Sequence, residues 1–319
     1  MSGTLTGAET ENLEGKTIGK SHFVIGKYLT GGAFGRIHLG KNTQTGLTVC
    51  VKLESQASPK PQLPLEYKFY KILGKGKGIP NIYYIGPVGN WSALVMDLLG
   101  PNLENLFEKC EHKFSVRTTV QLAIQLIGVF EIFHGRRLIY RDTKPENFLM
   151  GPSGSDTYNQ AFICDMGMCK EYKDEKGNHI PEASRKPWTG TLRYMSINNH
   201  ANNEQSRRDD MEALSYMFVF FMKGELPWQG VDAANIIEKY RAVGDVKRKT
   251  TPAVLCSDMP EEFLKFTESV RGLGFTEDPK YKAYINMFTK LLAKMGHDMN
   301  EGYYDWDKNH KPRPAKDRK

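Results

Sequence analysis

The sequence predicts an α+β chain with a small β-rich N-terminal lobe and a larger helical C-terminal lobe. Three observations carry this. Short β-rich runs punctuated by Gly, Asn and Pro fill the N-terminal third, apolar residues at helical spacing dominate the remainder, and the character changes at one place, "LLGP". The chain of 319 residues is long enough for one large or two smaller cores, and its 39% hydrophobic and 25% charged content is ordinary for a folded protein.

In chain order, "HFVIGKYL", "RIHLGKN" and "LTVCVKLES" read as strands. "LPLEYKFYKILG" interrupts them as a helix, because Pro64 suits a first helical turn and Gly74 ends it. Strands return with "IYYIGPV" and "SALVMDLL". Next, "VRTTVQLAIQLIGVFEIFHGRR" repeats apolar residues at Val120, Ile124, Ile127 and Ile132 and predicts an amphipathic helix. "DDMEALSYMFVFFMKG" is nearly all apolar and predicts a buried one. Further helices are expected at "DAANIIEKYRAVG", "PEEFLKFTESVRG" and "PKYKAYINMFTKLLAKMG". The expected partition is a flexible arm over 1–21, an N-terminal lobe over about 22–98, a C-terminal lobe over about 99–307 and a basic tail over 308–319, with a hinge at Asp97 to Gly100.

A formal net charge of +7 points weakly to acidic partners and to no specific nucleic acid. Five cysteines without a C-x-x-C pair indicate neither a disulfide framework nor a zinc site. The N-terminus lacks an apolar signal core, and patches such as "YMFVFFM" are much too short to span a bilayer. The expectation is a monomer in the cytoplasm, with a nuclear or peripheral membrane place as alternatives. The tail "KNHKPRPAKDRK", with six Lys or Arg against one Asp, suits weak contact with a membrane surface.

The chemistry lies in a series of polar motifs. In "TGGAFGR", Gly31, Gly32 and Gly35 would let backbone amides approach phosphates. Lys52 ends the apolar alternation of "VCVK", and Glu66 follows fourteen residues later on the expected helix, where it would hold the lysine against the α- and β-phosphates. In "RDTKPEN", Asp142 would accept a hydrogen bond from a substrate hydroxyl, Lys144 would neutralise the γ-phosphate, and Asn147 would offer an amide oxygen to magnesium. Asp165, twenty-three residues after Asp142, would join the metal to the nucleotide. In this order the set is the one a protein kinase uses with ATP and Mg²⁺.

Beyond these motifs, "VKLES", "PQLPLEYKFYKIL", "MDLLGPNLENLF", "KPENFLMG", "TGTLRYMSIN", "EQSRRDDMEAL" and "LPWQG" resemble the casein kinase I family of serine/threonine kinases, in register from about Phe23 to Trp306. Ser196 to Asn198 stand where this family has Ser-Ile-Asn and most kinases have Ala-Pro-Glu. "LEYKFYK", "YYIGPVG" and "LIYRDTKPENFL" look most like its gamma branch, in which tyrosine also precedes the Arg-Asp. The resemblance implies a serine/threonine kinase for acidic or pre-phosphorylated protein substrates. It adds Phe34 to the glycine loop, makes Met96 the gatekeeper, and gives the adenine backbone partners at Leu98 and Leu99. It also implies a ribose contact at Asn105, where the family has Asp, and a substrate-anion site at Arg193 and Lys239. Gamma-type relatives are expected to be anchored through C-terminal cysteines, and none follows Cys256 here.

Several residues depart from the usual pattern. Tyr140 replaces the histidine before Arg-Asp, as a packing brace with a polar tip. Met166 replaces the Phe of Asp-Phe-Gly, a swap of one apolar plug for another that typically costs less than about 1.5 kcal/mol. Thr30 replaces the first loop glycine, and Ser215 a small glycine after "DDMEAL". Thr30, Asn105 and Met166 together motivate the alternative of a nucleotide-binding pseudokinase scaffold.

Overall fold

The computed structural model describes residues 11–32 and 35–307, which divide into two compact units. One runs to Gly100 and includes Cys164–Gly167; the other comprises Pro101–Ile163 and continues from Met168. Phe34 and the basic tail lie outside the described residues, as do the first ten residues of the expected arm. The chain is α+β, with the sheet in the first unit and most helices in the second.

In the first unit, β1 (Phe23–Gly32), β2 (Gly35–Asn42), β3 (Thr48–Ser55), β4 (Ile82–Val88) and β5 (Trp91–Asp97) form an antiparallel sheet in the order β1-β2-β3-β5-β4. Val49, Val51 and Leu53 of β3 are fully buried on one face, so the pleat sends Cys50 and Lys52 to the other. Helix α1 (Leu63–Leu73) follows β3 and buries Phe69, Tyr70 and Leu73. Its start is capped from the sheet, since the Glu54 carboxylate accepts from the N–H groups of Gln62 at 2.7 Å and Leu63 at 3.0 Å.

The expected flexible arm needs correction over residues 11–21. Leu13 and Ile18 are buried in the sheet's core, and Gly15, Ile18 and Gly19 donate backbone hydrogen bonds to Ile25, Phe23 and Pro87. Two apolar residues in a polar stretch suffice to dock it, because each fully buried side chain of this kind stabilises by about 1.5–3 kcal/mol.

The second unit contains α2 (Leu103–Lys109), α3 (Val116–Gly135), β6 (Leu138–Ile139), β7 (Phe148–Met150), β8 (Ala161–Ile163), β9 (Lys170–Glu171) and α4 (Ile197–His200). It continues with α5 (Arg207–Lys223), α6 (Ile236–Lys249), α7 (Pro252–Leu255), α8 (Glu261–Arg271) and α9 (Tyr281–Lys294). Helix α5 is buried along nearly its whole length, as its composition predicts. On α3 the buried stripe is Val120, Ala123, Ile127, Phe130 and His134, whereas Ile124 and Ile132 are only half-buried. The i, i+3, i+4 rule is met by several sets of apolar residues on this helix, and packing against α9 and α5 selects among them. Helix α3 is long and apolar enough to cross a bilayer by length and composition, which the expectation of short apolar patches overlooks; 61% of its apolar window is buried inside the protein, as in a core helix. Helix α6 begins at Ile236 rather than Asp232, because the Asn235 side chain accepts from the Glu238 N–H and caps it there.

Candidate active site

In the first unit Lys52 and Glu66 form an ion pair. Their spacing in sequence works because β3 carries the lysine and the Glu54 cap fixes α1 one turn before Glu66. Asp165 belongs to the same unit, with Oδ1 3.8 Å from Lys52 Nζ and 3.2 Å from the Gly167 N–H that it accepts from. Its backbone is left-handed, with φ at 60°, a strained conformation for a residue with a side chain. Met166 beside it is fully buried, so the methionine does fill an apolar space.

Burial acts differently on the two partners of the ion pair. Glu66, with a side chain 3% exposed, is pushed up to about 7 by burial against the pull of Lys52. Burial lowers Lys52 too, but at 19% exposure it is outweighed by the Glu66 and Asp165 carboxylates, and the lysine ends above its ordinary value. Lys52 therefore stays cationic while Glu66 titrates near neutrality. Protonating Glu66 removes its attraction for Lys52, so the KM for ATP is expected to rise by about three- to tenfold between pH 8 and pH 6, and Glu66→Gln should flatten that limb. Stability runs the opposite way. A carboxyl raised in the folded state favours folding most below its ordinary range, and this contribution is lost as pH rises through about 7. Urea denaturation and steady-state kinetics over the same pH range would separate the two trends.

Around these residues, Gly31 pairs with Arg36 and Gly32 with Gly35 at the turn from β1 to β2. Gly35 has φ at 147°, and a Cβ there would meet the Leu53 carbonyl oxygen at 2.0 Å, so only glycine fits. Thr30 is exposed near the end of β1, opposite Ile37. Met96 is buried on β5 between Cys50 and Ile82, and Leu98 and Leu99 are half-buried after the strand.

In the second unit "RDTKPEN" folds back on itself. Asp142 is buried, and its Oδ2 accepts from Asn147 Nδ2 at 3.1 Å and Lys144 Nζ at 3.0 Å. Its Oδ1 accepts from the Thr191 hydroxyl at 2.8 Å. Thr191 reaches it because Gly190, with φ at 102°, passes so close that a Cβ would meet the Arg141 carbonyl oxygen at 2.3 Å. Below the loop, Asp210 of α5 accepts from the N–H groups of Tyr140 at 2.7 Å and Arg141 at 2.8 Å, and from His134 Nε2 at 2.9 Å. Tyr140 itself is wholly buried, its ring 5.7 Å from Phe133 and 6.2 Å from Phe130. That is the packing role its aromatic face predicts.

Asn105 is exposed on α2, its N–H donating to the Asn102 side chain. Arg193 and Lys239 line one pocket of about 420 Å³, shared with Glu104, Glu146 and Trp228. The Arg193 guanidinium lies 4.9 Å over the Phe220 ring. Glu104 Oε2 is buried there without a hydrogen-bond partner, and burial followed by the neighbouring Glu146 raises its carboxyl while Arg193 opposes them. The segment bearing Arg193 is held by Lys247, a fully buried lysine that donates to the carbonyls of Leu192 at 2.9 Å and Met195 at 2.7 Å. Thr191, Lys247, Glu104 and Glu146 have no role in the sequence reading. Thr191, Glu104 and Glu146 fall inside motifs, "TGTLRYMSIN", "MDLLGPNLENLF" and "KPENFLMG", while Lys247 sits in "VKRK", a run that reads as solvated charge.

Among the described residues no group of three or more His, Cys, Asp or Glu could hold a metal ion. Magnesium carried by a nucleotide needs no such cage, since one or two protein oxygens and the phosphates suffice. Each unit, taken by itself, offers an oxygen suited to that role. Asn147 commits its amide nitrogen to Asp142, leaving its oxygen as the donor for a cation, and the Asp165 side chain is 52% exposed.

A profile described as the protein kinase domain matches residues 23–276. The chain is 44% identical to "Casein kinase I homolog 2" of Saccharomyces cerevisiae over 300 residues, covering 94% of this chain and 55% of that protein. It is 46% identical to "Casein kinase I homolog 1" of the same yeast over 293 residues, covering 92% and 54%. With "Casein kinase I homolog 2" of Schizosaccharomyces pombe it shares 44% identity over 286 residues, covering 89% and 66%. The chain thus spans little more than half the length of the two Saccharomyces proteins it matches.

Proposed function

Because the chain belongs to the casein kinase I family of protein kinases, we propose that it transfers the γ-phosphate of ATP to serine or threonine hydroxyls of protein substrates. One observation supports this above the others. The buried Asp142 carboxylate already accepts a hydrogen bond from a hydroxyl, that of Thr191, while Lys144 and Asn147 fix its other oxygen. A substrate hydroxyl meets the same acceptor and is oriented by it. Magnesium, when bound with ATP, neutralises phosphate charge; Asn147 and Asp165 are assigned to hold it. Lys52, kept in place by Glu66, is assigned to the α- and β-phosphates, and Lys144 to the γ-phosphate. Gly31, Gly32, Phe34 and Gly35 are assigned to the phosphate loop, Met96, Leu98 and Leu99 to the adenine, and Asn105 to the ribose. Incubation with radiolabelled ATP, magnesium and casein tests the reading. Label transfer to serine or threonine supports it, whereas ATP binding without transfer would favour the scaffold.

The proposal extends to acidic or primed substrates and, on the strength of Tyr140 and the motifs around it, to the gamma branch. Arg193 and Lys239 supply cations to one pocket, and a phosphoserine carries about −1.5 to −2 charges at neutral pH. Glu104 and Glu146 share the pocket with those cations and partly offset their charge. Replacing Arg193 and Lys239 with Ala should cut kcat/KM on a primed peptide by roughly tenfold or more and leave the unprimed rate nearly unchanged. Equal losses on both peptides, at fixed ionic strength, would assign the pair to the folding of the segment instead.

A further inference from the structure

A second cavity in the helical unit, of about 370 Å³, lies among the C-terminal end of α3, the residues just after β9, the start of α5 and the start of α9. Apart from His134, which donates to Asp210, none of its lining has a part in the reading above. Three cations, Arg137, Lys173 and Arg207, face two carboxylates, Glu131 and Asp278. Arg207 is itself buried and paired with Asp278, yet its Nε has no hydrogen-bond partner. Tyr172, Tyr281 and Pro279 add flat apolar surface.

A polar wire leads from this cavity to the catalytic loop. His134 Nε2 donates to Asp210, so in the neutral ring Nδ1 is the acceptor, and it takes the Tyr281 hydroxyl proton at 2.6 Å. Burial holds His134 in that neutral form. Asp210 in turn accepts the N–H groups of Tyr140 and Arg141, immediately before Asp142. Tyr281 is thus three hydrogen bonds from the backbone that positions the loop.

We propose that this cavity is a regulatory site for a small aromatic monocarboxylate, which draws the Tyr281 hydroxyl from His134 and lowers turnover. The excess of one positive charge suits a monoanion, while Glu131 and Asp278 oppose a second negative charge. The volume lies at the lower end of ligand pockets and accepts one substituted ring. A carboxylate is also a stronger acceptor for the tyrosine hydroxyl than an imidazole nitrogen.

The test uses 4-fluorobenzoate and the full chain. Fluorine NMR should show saturable binding with Kd of about 1 mM or tighter. Lys173→Ala, and separately Arg137→Asn, which tolerates the positive φ of 65° at that position, should each weaken it by roughly tenfold. At saturation kcat on a peptide should fall by about fivefold in the wild type and stay unchanged in Tyr281→Phe, which keeps the ring but lacks the hydroxyl. Absence of saturation below about 10 mM, or binding indifferent to both charge substitutions, would overturn the site. Displacement by inorganic phosphate as readily as by benzoate would overturn the ligand class, and equal inhibition of wild type and Tyr281→Phe would overturn the wire. Binding is read without turnover, so the pocket is decided even if the phosphotransferase reading fails.

Discussion

Replacing Asp142 with asparagine is expected to lower kcat by about 10²- to 10⁴-fold while leaving the dissociation constant for ATP within about threefold. The carboxylate meets three donors, from Thr191, Lys144 and Asn147, and each of its oxygens is an acceptor. An amide turns an N–H₂ group toward one of these donors and removes the charge that Lys144 balances. The loop keeps its shape, because Asp210 holds it through backbone groups that the substitution does not touch. Single-turnover transfer beside equilibrium ATP binding is the measurement. Retention of more than about a tenth of the wild-type rate would place the proton acceptor elsewhere.

The largest loss of stability is expected at Asp210. One carboxylate, wholly inside the protein, satisfies two backbone amides and an imidazole. Asp210→Ala leaves these three donors buried without an acceptor and opens a void. The comparable loss of one partner from a buried charged network is about 3–5 kcal/mol, enough to take away much of the stability of an ordinary domain. Urea unfolding should show a markedly lower midpoint, and Asp210→Asn should recover part of it, since the amide oxygen still accepts. A midpoint unchanged in Asp210→Ala would mean that water replaces the carboxylate and that the loop does not depend on α5.

How legible these features are in the sequence depends on how far apart the partners lie. The β-rich first unit and the buried α5 can be read directly, because period and composition are local. Lys52 and Glu66 are legible as a pair since one strand and one helix turn separate them. Thr191 is not, as its contact with Asp142 bridges 49 positions and rests on Gly190 approaching the Arg141 carbonyl. Lys247 is hidden for a different reason. In a run of charge a lysine reads as exposed, and only the structure shows two carbonyls and the rings of Tyr216 and Trp228, 5.4 and 5.0 Å away, replacing its water. Docking of Leu13 and Ile18 escapes the composition rule because two apolar residues barely change the polarity of the segment.

Glu54 caps α1 from the strand that also carries Lys52, two residues earlier, and α1 returns Glu66 to that lysine. Strand and helix are therefore riveted at two points. Rotating the helix away from the strand would break both N–H hydrogen bonds to the buried Glu54 carboxylate as well as the ion pair, and charge-assisted bonds of this kind are worth about 1.5–3 kcal/mol each. The Lys52–Glu66 pair is thus set by the folding of the first unit itself. A change that loosens either fastening should therefore be felt at the other, with Glu54 substitutions disturbing the Lys52–Glu66 pair as well as the start of α1.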